Sequence, residues 1–215
     1  MAKAVADTDS ESNQGGFAYE GGSVTGFSSM HDSGTGGNPS LGNFPLFPYA
    51  KCAEDDVNGC VYPKNQRKTK YKLESVQAHP GYFAIELASG VRVDMTTAHH
   101  TSLFRFQFPH DNSTSPLILL DLTDLSNSRQ DNATISVDNT TGRMTGDARF
   151  APSFGSGTYV LHFCADFKSP AAQRDSGIFV NSRASAGVHD LKISRSINGY
   201  PLPVSRRNLF TYRKI

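Results

Sequence analysis

Residues 82–95 read YFAIELASGVRVDM. In the first half Phe83, Ile85 and Leu87 alternate with small or charged residues, and in the second Val91, Val93 and Met95 do the same. A repeat of two is the signature of an extended strand, whose successive side chains point to opposite faces. Ser89-Gly90 sits between the halves, and glycine adopts the positive φ that a tight reversal needs. The stretch therefore predicts two antiparallel strands, each with one apolar face.

The same pattern continues outward. Phe104, Phe106 and Phe108 alternate with Arg105 and Gln107, and Pro109 ends that run. Pro116 precedes LILLDL at 117–122, a continuous apolar run of the kind buried on both faces. Residues 139–142 (NTTG) form a predicted turn between strands at 134–137 and 143–150. In GTYVLHFCADF (157–167), Tyr159, Leu161, Phe163, Ala165 and Phe167 alternate, and Cys164 reads as a buried thiol. No segment carries a sustained apolar period of 3.6, so little helix is expected. Period-two segments with turn chemistry between them predict an all-β chain folded as an antiparallel β-sandwich. Residues 1–24 are polar and weakly patterned, 25–167 hold the sandwich core, and 168–215 read as loops and short strands of the same domain.

Composition narrows the function classes. A net charge of +1 gives no electrostatic case for nucleic acid or an anionic membrane surface. The basic run KNQRKTKYK (64–72) reads as a solvated loop or strand edge. No run of about 18 apolar residues is present, so no membrane-spanning helix is expected. The first residues, MAKAVADTDSESNQGG, lack the apolar core of a signal peptide. Other features are those of a secreted protein. Asn112, Asn132 and Asn139 each open an N-x-Ser/Thr sequon. Cys52 and Cys60 flank an acidic loop, CAEDDVNGC, which they can close as a disulfide in an oxidising compartment. Their spacing matches no zinc pattern. A secreted or extracellular chain without a leader implies an N-terminus that is missing from this sequence.

Residues 25–48, TGFSSMHDSGTGGNPSLGNFPLFP, are rich in glycine and proline and hold the pair His31–Asp32. Neither a helix nor an ordinary strand favours that composition. A shaped loop does, because bare backbone then approaches a ligand or another domain closely. Two roles stand open for His31–Asp32: an internal one, with the Asp side chain bonding loop amides, and a role lining a binding site. Glu54, Asp55 and Asp56 read as a solvated loop, and Asp121 and Asp124 as residues at strand ends. His99-His100 reads as structural, since adjacent strand residues face opposite ways and chelate one ion poorly.

GFSSMHDSGTGG followed by NPSLGNFPLFP resembles the N-terminal-domain signature of glycoside hydrolase family 92, the calcium-dependent exo-acting α-mannosidases, and in particular its fungal members. The family pattern is approximately Gly-Phe-Ser-His-x-His-x-Ser-Gly-Thr-Gly. Gly26, Phe27, Ser28, His31, Ser33, Gly34, Thr35 and Gly36 fit it, and Ser29 stands where many members carry the first His. The likeness continues through His79-Pro80-Gly81-Tyr82, residues 91–97, Arg105-Phe106-Gln107-Phe108-Pro109 and Leu119-Leu120-Asp121-Leu122, together spanning roughly 1–167.

The resemblance implies a sandwich of the galactose-mutarotase-like supersandwich type, followed in the whole enzyme by an α/α-barrel that carries the acid, the base and the calcium. Inversion needs two carboxyls about 6.5–9.5 Å apart. This sequence is expected to be truncated at both ends, to hold no catalytic residues and to bind no cofactor itself, with calcium in the other domain. Gly26, Phe27, Ser28, His31, Asp32, Ser33, Gly34, Thr35 and Gly36 are then expected at the glycan site or the domain interface, with α-mannoside glycans and the barrel domain as partners. An alternative is a stand-alone carbohydrate-binding or interaction module. It is motivated by 192–215, KISRSINGYPLPVSRRNLFTYRKI, which patterns weakly as strand and turn, as if a domain were completing itself.

Overall fold

Two strands leave the Ser89–Gly90 turn in register, with Ile85 opposite Val93 and Phe83 opposite Met95. Gly90 has φ +82°, and the Gly90 N–H donates to the Leu87 carbonyl at 2.9 Å. The computed structural model describes residues 3–10, 16–32, 41–109, 116–122, 130–138, 140–152, 155–169, 175–180, 183–186, 190–193 and 209–214.

A seven-stranded sheet forms the centre. Its order is β1 (Val5–Thr8), β2 (Val24–Ser28), β5 (Leu46–Tyr49), β10 (Leu117–Asp121), β17 (Leu209–Lys214), β14 (Asp175–Val180) and β15 (Arg183–Ala186). The hairpin extends into a four-stranded sheet of β6 (Tyr71–His79), β7 (Tyr82–Leu87), β8 (Arg92–Thr97) and β9 (Ser102–Gln107). A second four-stranded sheet holds β13 (Tyr159–Ala165), β12 (Met144–Phe150), β11 (Gln130–Val137) and β16 (Asp190–Ile193). β3 (Met30–Asp32) and β4 (Leu41–Asn43) pair as a small ribbon. Every pairing between these strands is antiparallel.

Register fixes the layers. Ala6 lies opposite Phe27, Phe27 opposite Leu46, and Leu46 opposite Leu120, so these four side chains share one face of the central sheet. At its β1–β2 end that face packs Ala6, Val24 and Phe27 against Ile85, Leu87, Val93 and Met95. Further along it packs Leu120 and Leu122 against Ile135, Val137, Met144 and Phe150. Both four-stranded sheets thus cover the inner face of the central one, giving the sandwich. Each fully buried Leu or Phe contributes roughly 1.5–3 kcal/mol.

The outer face of the central sheet carries Phe47, Leu117 and Leu119, capped by Cys52 and Tyr62 from the segment after β5. LILLD is therefore buried on both sides, as its unbroken apolar run predicts. Cys52 and Cys60 are joined by a disulfide, with a Cα separation of 4.8 Å. Helix is confined, among the described residues, to a four-residue turn, α1 (Lys64–Arg67), and two 3-10 turns, Ala53–Asp55 and Val57–Gly59.

Two local expectations change, and three placements are sharpened. Cys164 is exposed, because the alternation that turns Leu161, Phe163 and Ala165 inward turns Cys164 outward. Within the basic run, Arg67 is buried. Asp121 ends β10, as read, and is buried there with Arg67 supplying its counter-charge. The weakly patterned 1–24 contain β1, whose four residues are all buried. Within 168–215, β17 runs between β10 and β14 in the middle of the central sheet.

Candidate functional site

Asp7 organises the start of the glycine-rich segment. It lies opposite Gly26 across the β1–β2 pairing and on the outer face, since Ala6 beside it faces inward. Ser28 Oγ donates a short hydrogen bond to Asp7 Oδ2. His31 Nε2 lies 2.9 Å from Asp7 Oδ1, with the imidazole 1% and the carboxylate 8% exposed. One carboxylate therefore ties β1 to the end of β2 and to β3.

The ribbon sits close because Gly42 has no side chain. Gly42 is opposite His31, and a Cβ there would run into Ser28 Oγ and Asp7 Oδ2. Gly26 is constrained similarly, since a Cβ would lie 2.6 Å from Pro45 Cβ. Both glycines are required by close approach, not by backbone angle. Next to Gly42, Asn43 is 2% exposed, and among the described residues neither its Nδ2 nor its Oδ1 has a hydrogen-bond partner; His31 Nδ1 is likewise buried and unpartnered among them. Buried polar atoms without partners are costly and uncommon in native folds. Three of them within two neighbouring residue pairs mark this ribbon as unfinished in its polar contacts.

The cluster is not a nucleophilic triad. In that arrangement the imidazole takes the proton of the serine hydroxyl and the carboxylate orients the imidazole. Here the carboxylate lies between the two, and Ser28 donates to it. The group can orient His31 and shape the backbone, but it does not activate Ser28. Among the described residues no three His, Cys, Asp or Glu side chains gather as a metal site.

The remaining sequence candidates fall as follows. Phe27 is fully buried, edge-on to Phe106 at 6.0 Å, and serves the core. Ser28 is fully buried, so it contributes through Asp7 and not through a surface. Asp32 pairs with Leu41 at the end of the ribbon where residues 33–40 connect its two strands. Ser33, Gly34, Thr35 and Gly36 lie outside the described residues, as do Asn112 and Asn139. Asn132 is half-buried in a bulge of β11, with φ +44°. Glu54 is exposed, and His99 and His100 are exposed in the turn after β8, so neither group forms part of the ribbon.

Sequence reasoning missed Asp7, Gly42 and Asn43. Asp7 had one available signal: the run AVADT places a single acid among residues that suit a buried strand.

A second buried acid on the same face completes the local scaffold. Arg67 Nη1 lies 2.6 Å from Asp121 Oδ2, with both side chains at 1% exposure or less. The guanidinium also donates from Nε to the Thr25 carbonyl and from Nη1 to the Tyr62 carbonyl, each at 3.0 Å, and lies over the Phe47 ring. Thr25 opens the glycine-rich segment, so this ion pair fixes its first residues from one side while Asp7 fixes Ser28 and His31 from the other.

Residues 1–201 match the Glycosyl hydrolase family 92 N-terminal domain. A protein of Arthroderma benhamiae described as an uncharacterized secreted glycosidase is 50% identical over 202 residues, covering 92% of this chain and 26% of that protein. The chain thus spans about a quarter of that relative's length. Among solved structures, a family GH92 alpha-mannosidase from Bacteroides thetaiotaomicron aligns with TM-score 0.70 at 20% identity, over 100% of this chain and 27% of that one. A GH92 inverting mannosidase of the same species aligns with TM-score 0.66 at 12% identity, over 100% of this chain and 25% of that one. At these identities the two structures establish the shared fold.

Proposed function

The chain belongs to the glycosyl hydrolase family 92 N-terminal domain family, and we propose that it serves a secreted α-mannosidase by presenting residues 25–48 to an α-linked mannoside at the face where a catalytic domain docks. In this reading Arg67 fixes Thr25 and Asp7 fixes Ser28 and His31 at the start of the segment, and Gly26 and Gly42 let the strands of this chain close up behind the residues that face the sugar. The acid, the base and any calcium belong to the catalytic domain.

The observation that carries the proposal is the unfinished polar ribbon. His31 and Asn43 are buried beside the glycine-rich segment with three polar atoms that have no partner among the described residues, the densest group of such atoms there. Secretion is supported by the description of the Arthroderma benhamiae relative and by the Cys52–Cys60 disulfide, a bond that persists in oxidising compartments.

The test compares hydrolysis of α-1,2-mannobiose, with calcium present, by a longer protein containing this domain and by the 215-residue chain alone. The expected result is turnover by the longer protein and none by the chain. Equal turnover by the chain alone would refute the proposal.

A second reading, a stand-alone carbohydrate-binding module, draws on β17, which places the end of the sequence inside the central sheet. Hydrolysis separates the two: a module working alone predicts no turnover by the longer protein either, whereas the first reading predicts turnover by the longer protein.

A further inference from the structure

A second feature suited to sugar lies at the other end of β2. Tyr19 is 54% exposed and Leu73 is 40% exposed. Together they line a surface hollow of about 280 Å³ whose rim carries Glu20 and Lys70. Its lining comes from residues 19–22, 70, 71 and 73 and shares no residue with the Asp7–His31 cluster.

The hollow is built, not left over. Phe17 is packed edge-on to Phe83 at 5.1 Å, and Ala18 is buried, so the residues before Tyr19 are anchored in the core. Tyr71 Oη donates to the Ala18 carbonyl at 2.9 Å and to the Tyr19 carbonyl at 2.7 Å. Burial, then the nearby Tyr19 and Glu20, push the Tyr71 hydroxyl's pKa above its ordinary value, which keeps it a donor. Lys70 Nζ donates to the Gly22 carbonyl at 3.2 Å, and the Ser23 N–H donates to Asp9 Oδ1 at 2.6 Å. Asp9 in turn pairs with Lys68 at 2.8 Å. The turn is pinned on both sides, yet Tyr19 is directed outward. Gly21, at φ +74°, has no heavy atom within 4 Å of its Cβ position, so it leaves bare backbone along the rim.

We propose that Tyr19 and Leu73, rimmed by Glu20 and Lys70, form an accessory subsite for one neutral hexopyranose of a glycan. An aromatic ring beside an aliphatic side chain offers an apolar platform for the C–H face of a pyranose. One carboxylate and one ammonium at its edge offer an acceptor and donors to the ring hydroxyls. The two charges cancel, which favours a neutral polyol over an acidic or basic ligand. This subsite is independent of the catalytic role proposed above: it makes no use of residues 25–48 and needs no turnover.

The test titrates the 215-residue chain with methyl α-D-mannopyranoside and with yeast mannan, following the Leu73 methyl and Tyr19 ring signals by NMR. Both signals are expected to shift, and Tyr19→Ala to weaken mannan binding roughly tenfold, with a smaller loss for Glu20→Gln. Val160→Ala, at an exposed apolar side chain on β13 of the other four-stranded sheet, is expected to leave the affinity unchanged. Mannan affinity unaltered in Tyr19→Ala, or lost in Val160→Ala and kept in Tyr19→Ala, would overturn the assignment. So would Leu73 and Tyr19 signals that stay fixed at saturating mannan. Should Tyr19→Ala fail to fold, Lys70→Gln read at the Leu73 methyls decides in the same way.

Discussion

Asp7 and Asp121 are buried acids on one face of the central sheet, and they are answered differently. Asp121 meets a guanidinium that also donates to two backbone carbonyls and lies over an aromatic ring, with its Nη2 alone left unpartnered among the described residues. Asp7 meets a hydroxyl and an imidazole, and the far nitrogen of that imidazole and the amide of Asn43 are without partners among the described residues. The first arrangement closes a contact between segments far apart in the chain. The second orders a ribbon and leaves polar atoms beside the glycine-rich segment unsatisfied. The difference separates what holds the fold from what the fold presents.

Breaking the Arg67–Asp121 pair is the largest expected loss. Arg67→Ala strands a buried carboxylate and is expected to lower unfolding free energy by about 3–5 kcal/mol, read from urea denaturation. A loss below about 1 kcal/mol would mean that the pair is not the clasp described. Removing the disulfide with the double Cys52→Ser, Cys60→Ser variant releases the loop over the same face. The cost expected for a loop this short is about 2–3 kcal/mol, measured the same way under non-reducing conditions.

On the other side of the comparison, Gly42→Ala forces a methyl onto Asp7 and Ser28 and is expected to cost about 1–3 kcal/mol. The same change is expected to disturb His31, visible in its NMR signals, while leaving the Arg67 region unaltered. An unshifted His31 would detach Gly42 from the cluster.

Asp94 sharpens the comparison as a third acid. Burial pushes its carboxyl pKa up, but hydrogen bonds from Tyr82 and Arg105 and the charges of Arg105 and Arg92 outweigh that and hold it below the ordinary value. A depressed folded pKa stabilises the native state above the unfolded-state pKa, and that stabilisation is lost as pH falls through the folded value. Stability is therefore expected to fall on acidification below about pH 4, and Asp94→Asn to flatten that limb of the pH profile. A limb equally steep in the variant would count against the assignment.

Much of the sandwich was legible in the sequence because its core strands alternate, as at Phe83, Ile85 and Leu87, or run continuously apolar, as at 117–122. The parts that were not legible share one physical reason. β1 and β17 gain their place from pairing with strands distant in sequence, which local pattern does not encode. Arg67 and Asp7 are charged residues buried only because a partner elsewhere compensates them, and hydropathy assigns such residues to the surface. The glycine-rich segment was recognisable as a close-approach loop, yet the residue that orders its start, Asp7, lies 24 positions before His31.

The most direct measurement takes a longer protein that contains this domain and compares Asp7→Asn with Arg67→Met, each assayed well below its own unfolding temperature. Asp7→Asn is expected to lower kcat/KM on α-1,2-mannobiose by about 10–100-fold, through displaced positioning of the segment that faces the sugar. Folded Arg67→Met is expected to stay within a few-fold of the parent. Asp7→Asn with parental kcat/KM, beside an Arg67→Met that is folded and inactive, would reverse the roles assigned to the two acids.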